Sequence, residues 1–184
     1  MQLYVIRHAI AEERREGRVD AERALTDKGK ARFGRAVVGL RRLDVRFTEI
    51  LTSPWRRASE TADLLAPLSE REPMALETLA MPPGERLLEE LAKSETGTAA
   101  LVGHEPWLSE LIALLVVGDR GDGDARFELK KGAVAHLVGE PAAGRHAARR
   151  ADAAEAAQAR GRLTCLSSAG GARARARRAR TTAP

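Results

Sequence analysis

Leu3-Tyr4-Val5-Ile6-Arg7-His8 decides the fold, because a four-residue apolar run stops abruptly on a cation and an imidazole. So short an apolar run reads as a central strand buried on both faces, the kind found in parallel sheets. Two later stretches repeat the arrangement. Phe47 to Thr52 leads into Ser53-Pro54-Trp55-Arg56-Arg57, and Thr98 to Val102 leads into Gly103-His104-Glu105-Pro106.

Working outward, helical signals fill the intervals. Thr26 can cap a helix whose first residue, Asp27, suits the positive end of the dipole. The helix runs to about Leu43, with Ala31, Phe33, Val37, Val38 and Leu40 as its expected inward stripe. Ser53-Pro54 predicts a second start, a capping hydroxyl followed by proline at the first helical position. Glu85 to Lys93 and Trp107 to Val117 read as further helices, Met74 to Leu79 and Ala133 to Val138 as further strands, and Gly118 to Ala125 as a loop. Strands alternating with helices predict the α/β class: a three-layer α/β/α sandwich with a mostly parallel central sheet.

The chain has 184 residues, 43% hydrophobic and 31% charged, which suits one folded domain with a real core. No apolar run approaches the roughly 18 residues that span a bilayer. The amino terminus reads as a strand, not as a signal peptide. Cys165 is the single cysteine, which excludes an internal disulfide and a cysteine-based metal site, and a reducing, cytoplasmic setting is expected.

The net charge of +5 is unevenly distributed. Ten arginines against two acids follow Gly144, whereas residues 1–144 carry 21 basic and 24 acidic side chains. The folded part is thus slightly acidic, and bulk charge gives no support to nucleic-acid binding by it. The division expected is a domain over 1–144 and a tail over 145–184. Fourteen alanines and ten arginines leave that tail too little apolar surface to offset its ordering entropy, so disorder is expected, with transient helix at Ala147 to Ala159. Its monotony has a second reading, out-of-frame translation of a GC-rich gene.

Chemistry should sit where Arg7-His8, Ser53 to Arg57 and Gly103-His104 converge, since the carboxyl ends of strands line the ligand crevice of an open α/β sheet. A neutral imidazole is a competent nucleophile near neutral pH. Arginine offers a charged planar fork matched to phosphate oxygens. Together they suit a phosphoryl group and the charge that builds on it during transfer. A metal site fits two histidines poorly, because arginines crowd them and no His-x-x-x-His spacing occurs. A serine hydrolase fits less well, for want of Gly-x-Ser-x-Gly.

These residues resemble the histidine phosphatase superfamily, the phosphoglycerate mutase-like fold. Arg7-His8-Ala9, continued to Ala11, is similar to the Arg-His-Ala-x-Ala form of its SixA-type phosphohistidine phosphatase branch. Leu25-Thr26-Asp27-Lys28-Gly29 resembles that branch's Leu-Thr-x-x-Gly, and Ser53 to Thr61 its Ser-Pro-x-x-Arg-Ala-x-x-Thr. Gly103-His104-Glu105-Pro106 resembles Gly-His-x-Pro, and Lys131-Gly132-Ala133 the lead-in to a late strand.

The resemblance covers about residues 1 to 140. It implies His8 as the phosphorylated nucleophile, Arg7 and Arg57 as phosphate ligands and His104 as the stabiliser of the phosphoryl oxygens, with no metal and no organic cofactor. The substrate it implies is phosphohistidine on a protein. The alternatives are a small-molecule phosphomonoesterase of the same superfamily and an inactive phosphate-binding module. Glu12, Asp20, Glu77 and Glu85 all stand as candidates for a general acid. Trp55 and Trp107 read as core packing in preference to walls of the pocket, Glu105 as pocket rim, and His136 and His146 as structural or solvated.

Overall fold

A computed structural model describes residues 1–93, 97–118, 127–139 and 164–166. Strands β1 (Gln2–Arg7), β2 (Glu49–Thr52), β3 (Met74–Ala75), β4 (Thr98–Gly103), β5 (Val134–Val138) and β6 (Thr164–Leu166) form one sheet in the order β3-β2-β4-β1-β5-β6. The first four run parallel, and β5 is antiparallel to both β1 and β6. Helices α1 (Asp27–Arg42) and α2 (Arg56–Leu65) cover one face, and α3 (Glu85–Lys93) and α4 (Trp107–Val116) the other.

Alternation along β1 explains the three layers. Tyr4 and Ile6 join Phe33, Val37, Leu40, Ala58 and Leu65 in one core, while Leu3 and Val5 join Leu87, Leu91, Leu108 and Ile112 in the other. Both flanks of the strand are therefore dry, as its unbroken apolar run requires.

Several local readings change. The inward stripe of α1 is Gly29, Phe33, Val37 and Leu40, and Ala31 and Val38 face water. At about 100° per residue Val38 lies roughly 140° round from Phe33, off the buried face. Helix α2 starts at Arg56, with Trp55 as a cap that makes no side-chain bond. The Ser53 hydroxyl accepts from the Trp55 amide and bonds His104 instead, so it closes a turn ahead of the helix. The third strand is two residues long, and Glu77–Ala80 coils as a short helical turn.

Thr164–Leu166 pairs with β5, within a segment expected to lack fixed structure; the strand satisfies backbone groups that β5 would otherwise present as an open edge. The rest of 145–184, including Ala147 to Ala159 and His146, and most of the Gly118 to Ala125 loop lie outside the described residues. Among those described, no helix is long and apolar enough to cross a membrane.

One glycine fixes how α1 meets the sheet. The Thr26 amide and hydroxyl both donate to the Ile10 carbonyl, at 3.0 and 3.2 Å, and the Gly29 amide donates to Thr26 Oγ1 at 3.0 Å. A Cβ at position 29 would lie 2.0 Å from the Ile10 oxygen. Gly29→Ala should therefore cost about 1–3 kcal/mol, read as a thermal midpoint lowered by several degrees.

Candidate active site

Strands β1 and β4 lie side by side, with Arg7 opposite Gly103, and the His8 amide donates to the Gly103 carbonyl at 3.1 Å. The chain leaves β1 towards α1 on one face and leaves β4 towards α4 on the other. That reversal opens a crevice between the two strand ends, and His8 and His104 sit at its mouth. Ser53 joins them, its amide bonded to the Val102 carbonyl at 2.9 Å.

His8, Arg57 and His104 are 5%, 3% and 3% exposed, so their contacts form almost out of water. His8 Nδ1 lies 2.8 Å from the Ala9 carbonyl, which only accepts, so Nδ1 carries the proton and Nε2 the lone pair. Arg57 Nε donates to that Nε2 at 3.2 Å. The two imidazoles are 5.2 Å apart between ring centres. His104 Nε2 bonds Ser53 Oγ at 2.8 Å, while its Nδ1 is buried and unpartnered.

Trp55 packs 4.5 Å from the His104 ring, lies 4.5 Å beneath the Arg57 guanidinium carbon and meets Trp107 edge-on at 5.8 Å. Both indoles are only half buried, so they wall the site and do not fill core. His136 stacks on Tyr4 and bonds Gln2, a structural role as expected.

Arg7 is held differently from Arg57. Its Nη1 donates to the Leu129 carbonyl at 2.6 Å, and its buried Nε has no partner. Of the four carboxylates considered for acid catalysis, Asp20 reaches the site: its Oδ2 lies 3.0 Å from Arg57 Nη2 and its carbonyl accepts from Nη1 at 2.7 Å. Glu12, Glu77 and Glu85 are exposed.

Burial works to raise the Asp20 carboxyl, but the bond from Arg23 and the charges of Arg57 and Arg23 outweigh it and hold the group below its usual range. Desolvation depresses His8 to about 4; the Ala9 bond opposes this, and the charges of Arg57, Arg7 and Lys131 add to it. Desolvation likewise takes His104 to about 3, helped by Arg57 and His8. Both rings are neutral at pH 7. Among the described residues no cluster of three His, Cys, Asp or Glu side chains suits a metal ion.

Sequence reading assigned no bracing role to the residues that support this set. Thr61 Oγ1 accepts from the Ala9 amide at 3.1 Å and donates to the Arg57 carbonyl at 2.6 Å. Glu60 accepts from the Leu25 amide and from Arg56. Glu105, read as rim, accepts from Ser109 and from the Leu129 amide, fixing the segment that holds Arg7. Thr61 already stood in the motif Ser53 to Thr61; for Glu60 the available sign was its spacing three residues after Arg57, which returns it to nearly the same helix face one turn on.

Residues 3–80 match the sequence profile described as the histidine phosphatase superfamily (branch 1). An uncharacterised protein of Picosynechococcus sp. strain PCC 7002 is 36% identical over 143 residues, covering 74% of this chain and 84% of the relative. The fold is similar to that of the protein histidine phosphatase SixA complexed with tungstate, with TM-score 0.62, 22% identity, 77% of this chain and 90% of that one covered. It is also similar to a phosphoserine phosphatase mutant from Entamoeba histolytica in complex with phosphoserine, with TM-score 0.58, 18% identity, and 74% and 90% covered.

The depressed imidazoles have a consequence for stability. Above pH 6.5 folded and unfolded chains both hold these rings neutral, so they contribute no pH dependence there. As pH falls below 6.5 the unfolded rings take protons first, and stability is lost until the folded values near 4 and 3 are reached. Urea titrations between pH 7 and pH 4 should show this loss, and His8→Asn should flatten the slope by up to about 1.4 kcal/mol per pH unit. An unchanged slope in the variant would contradict a neutral His8.

Proposed function

The chain belongs to the histidine phosphatase superfamily and is a phosphatase of the histidine-nucleophile class; from that premise we propose that His8 is the nucleophile and phosphohistidine on a protein the substrate. The single observation that carries the assignment of His8 is its Nε2 lone pair, facing the Arg57 Nε–H at 3.2 Å, with the second imidazole 5.2 Å away.

The reaction runs in two displacements. His8 Nε2 attacks phosphorus, the N–P bond forms, and the bond to the leaving group breaks. Water then attacks phosphorus, the His8 N–P bond breaks, inorganic phosphate departs and the imidazole returns to its neutral form. Arg57 and Arg7 hold the phosphoryl oxygens as they gain charge. His104 does so through Nδ1, provided that Ser53 donates its hydroxyl proton to Nε2 and leaves Nδ1 protonated. The buried, unpartnered state of Nδ1 supports this, because an arriving oxygen would satisfy it.

Two observations favour phosphohistidine. Its leaving imidazole departs neutral once protonated by solvent, so no strong acid is needed from the protein. Asp20, the carboxylate on Arg57, is held ionised and is a poor donor at neutral pH. The fold similarity to the protein histidine phosphatase SixA points the same way.

His8→Ala should abolish turnover and the acid-labile labelling of the enzyme by substrate phosphate. Arg57→Ala should lower kcat/KM by about 10²–10³-fold. Turnover should be faster on phosphohistidine protein than on phosphoserine or sugar phosphates. The reverse order would favour a small-molecule phosphomonoesterase, and phosphate binding without labelled enzyme would favour a binding module.

A further inference from the structure

Each nitrogen of the Arg57 guanidinium already has a partner. Nε faces His8, Nη1 donates to the Asp20 carbonyl at 2.7 Å, and Nη2 donates to Asp20 Oδ2 at 3.0 Å. The Nη pair is the fork that a phosphoryl group would use. A carboxylate oxygen and a carbonyl of one residue therefore sit where substrate oxygens belong.

The two partners differ in how easily they move. Arg57 stands in the first turn of α2, is 3% exposed and is braced through its own carbonyl by Thr61. Asp20 opens the short turn Asp20–Glu22, which contributes no buried residue to either core. The preceding stretch, Glu12 to Val19, is exposed throughout. The turn is tethered at one end, where Arg23 pairs with Asp20 Oδ1 at 2.9 Å and donates to the Glu12 carbonyl at 2.8 Å. Moving Asp20 thus breaks polar contacts but opens no cavity in the core.

We propose that Asp20 is the resident anion of the phosphate site, seated on Arg57 in the free enzyme and displaced by the phosphoryl group, and so a specificity-determining residue. A ligand gains only the difference between its own bonds to the fork and those of the departing Asp20. A phosphoryl dianion, with three oxygens and two charges, exceeds a carboxylate. A monoanionic carboxylate or phosphodiester exchanges like for like and gains little. Asp20 thereby raises the threshold for every anion and excludes the weaker ones.

The inference rests on Arg57 being a phosphate ligand, and its test reads binding as well as turnover. Asp20→Asn keeps the size of the side chain and removes its charge. Calorimetric binding of inorganic phosphate to the full chain should tighten about tenfold in this variant, the worth of one charge-assisted bond. KM for p-nitrophenyl phosphate should fall in parallel, with kcat held within about twofold. Acetate, without measurable effect on the parent enzyme, should inhibit the variant. Asp20→Glu should return phosphate affinity towards the parent value.

Phosphate affinity that is unchanged or weaker in Asp20→Asn would overturn the proposal, marking Asp20 as a support for Arg57. So would a loss of kcat that deepens with poorer leaving groups at constant phosphate affinity, which would mark it as the proton donor. A parent enzyme that binds phosphate but turns nothing over would instead count against the catalytic assignment, and the binding comparison would still decide the role of Asp20.

Discussion

Burying a guanidinium costs several kcal/mol unless its donors are met, and Arg57 meets that cost with the groups that define the site. Nε is satisfied by the lone pair of His8, which forces His8 Nε2 to be unprotonated and to face the crevice. The Ala9 carbonyl enforces the same tautomer from the other side of the ring. Two independent contacts thus select one protonation state of one imidazole. The tautomer of His8 here follows from hydrogen-bond satisfaction alone.

Helix α2 acts as a ruler for the loops around it. Within five residues it presents Arg57 to His8, Thr61 to the Ala9 amide and Glu60 to the Leu25 amide. The segment that follows β1 is thereby fixed at two points by one rigid element, and Gly29 lets α1 approach its Ile10 carbonyl closely enough to fix a third. Small errors in attack geometry are expensive in phosphoryl transfer, which is catalysed by placement more than by covalent chemistry. Three contacts on three consecutive residues, His8, Ala9 and Ile10, set the placement of this segment.

How much of this could be read from the chain depends on the range of the interaction involved. The sheet was legible because burial on both faces writes an apolar run, as in Leu3 to Ile6, and because strand ends carry the polar residues that burial forbids. The meeting of His8, Arg57 and His104 was legible for the same reason, since parallel strands deliver their carboxyl ends to one edge. The start of α2 was not. Ser53 carries the local pattern of a cap, but its hydroxyl is claimed by His104, 51 residues away. The strand at β3 was legible but its shortness was not, because Met74 to Leu79 is apolar enough for a longer strand while only Met74 and Ala75 pair, with Leu51 and Thr52. Trp55 and Trp107 read as core because composition records apolar area and not which side of a helix start it falls on. Asp20 stood in a charged loop among other acids, and nothing in its neighbours separates it from Glu12; the pairing with Arg57 spans 37 residues.

The electrostatics of the site follow from the same burial. With both imidazoles neutral, desolvation lowers the His8 pKa most, and the charges of Arg57, Arg7 and Lys131 add to it. A protonated His8 would add a further cation to a buried cluster, whereas the phosphoryl group proposed for His8 would bring negative charge to donors already in place. The arrangement therefore penalises the protonated ring, and the cations that help to suppress proton uptake are those that, on the proposed role of His8, would hold the transferred group.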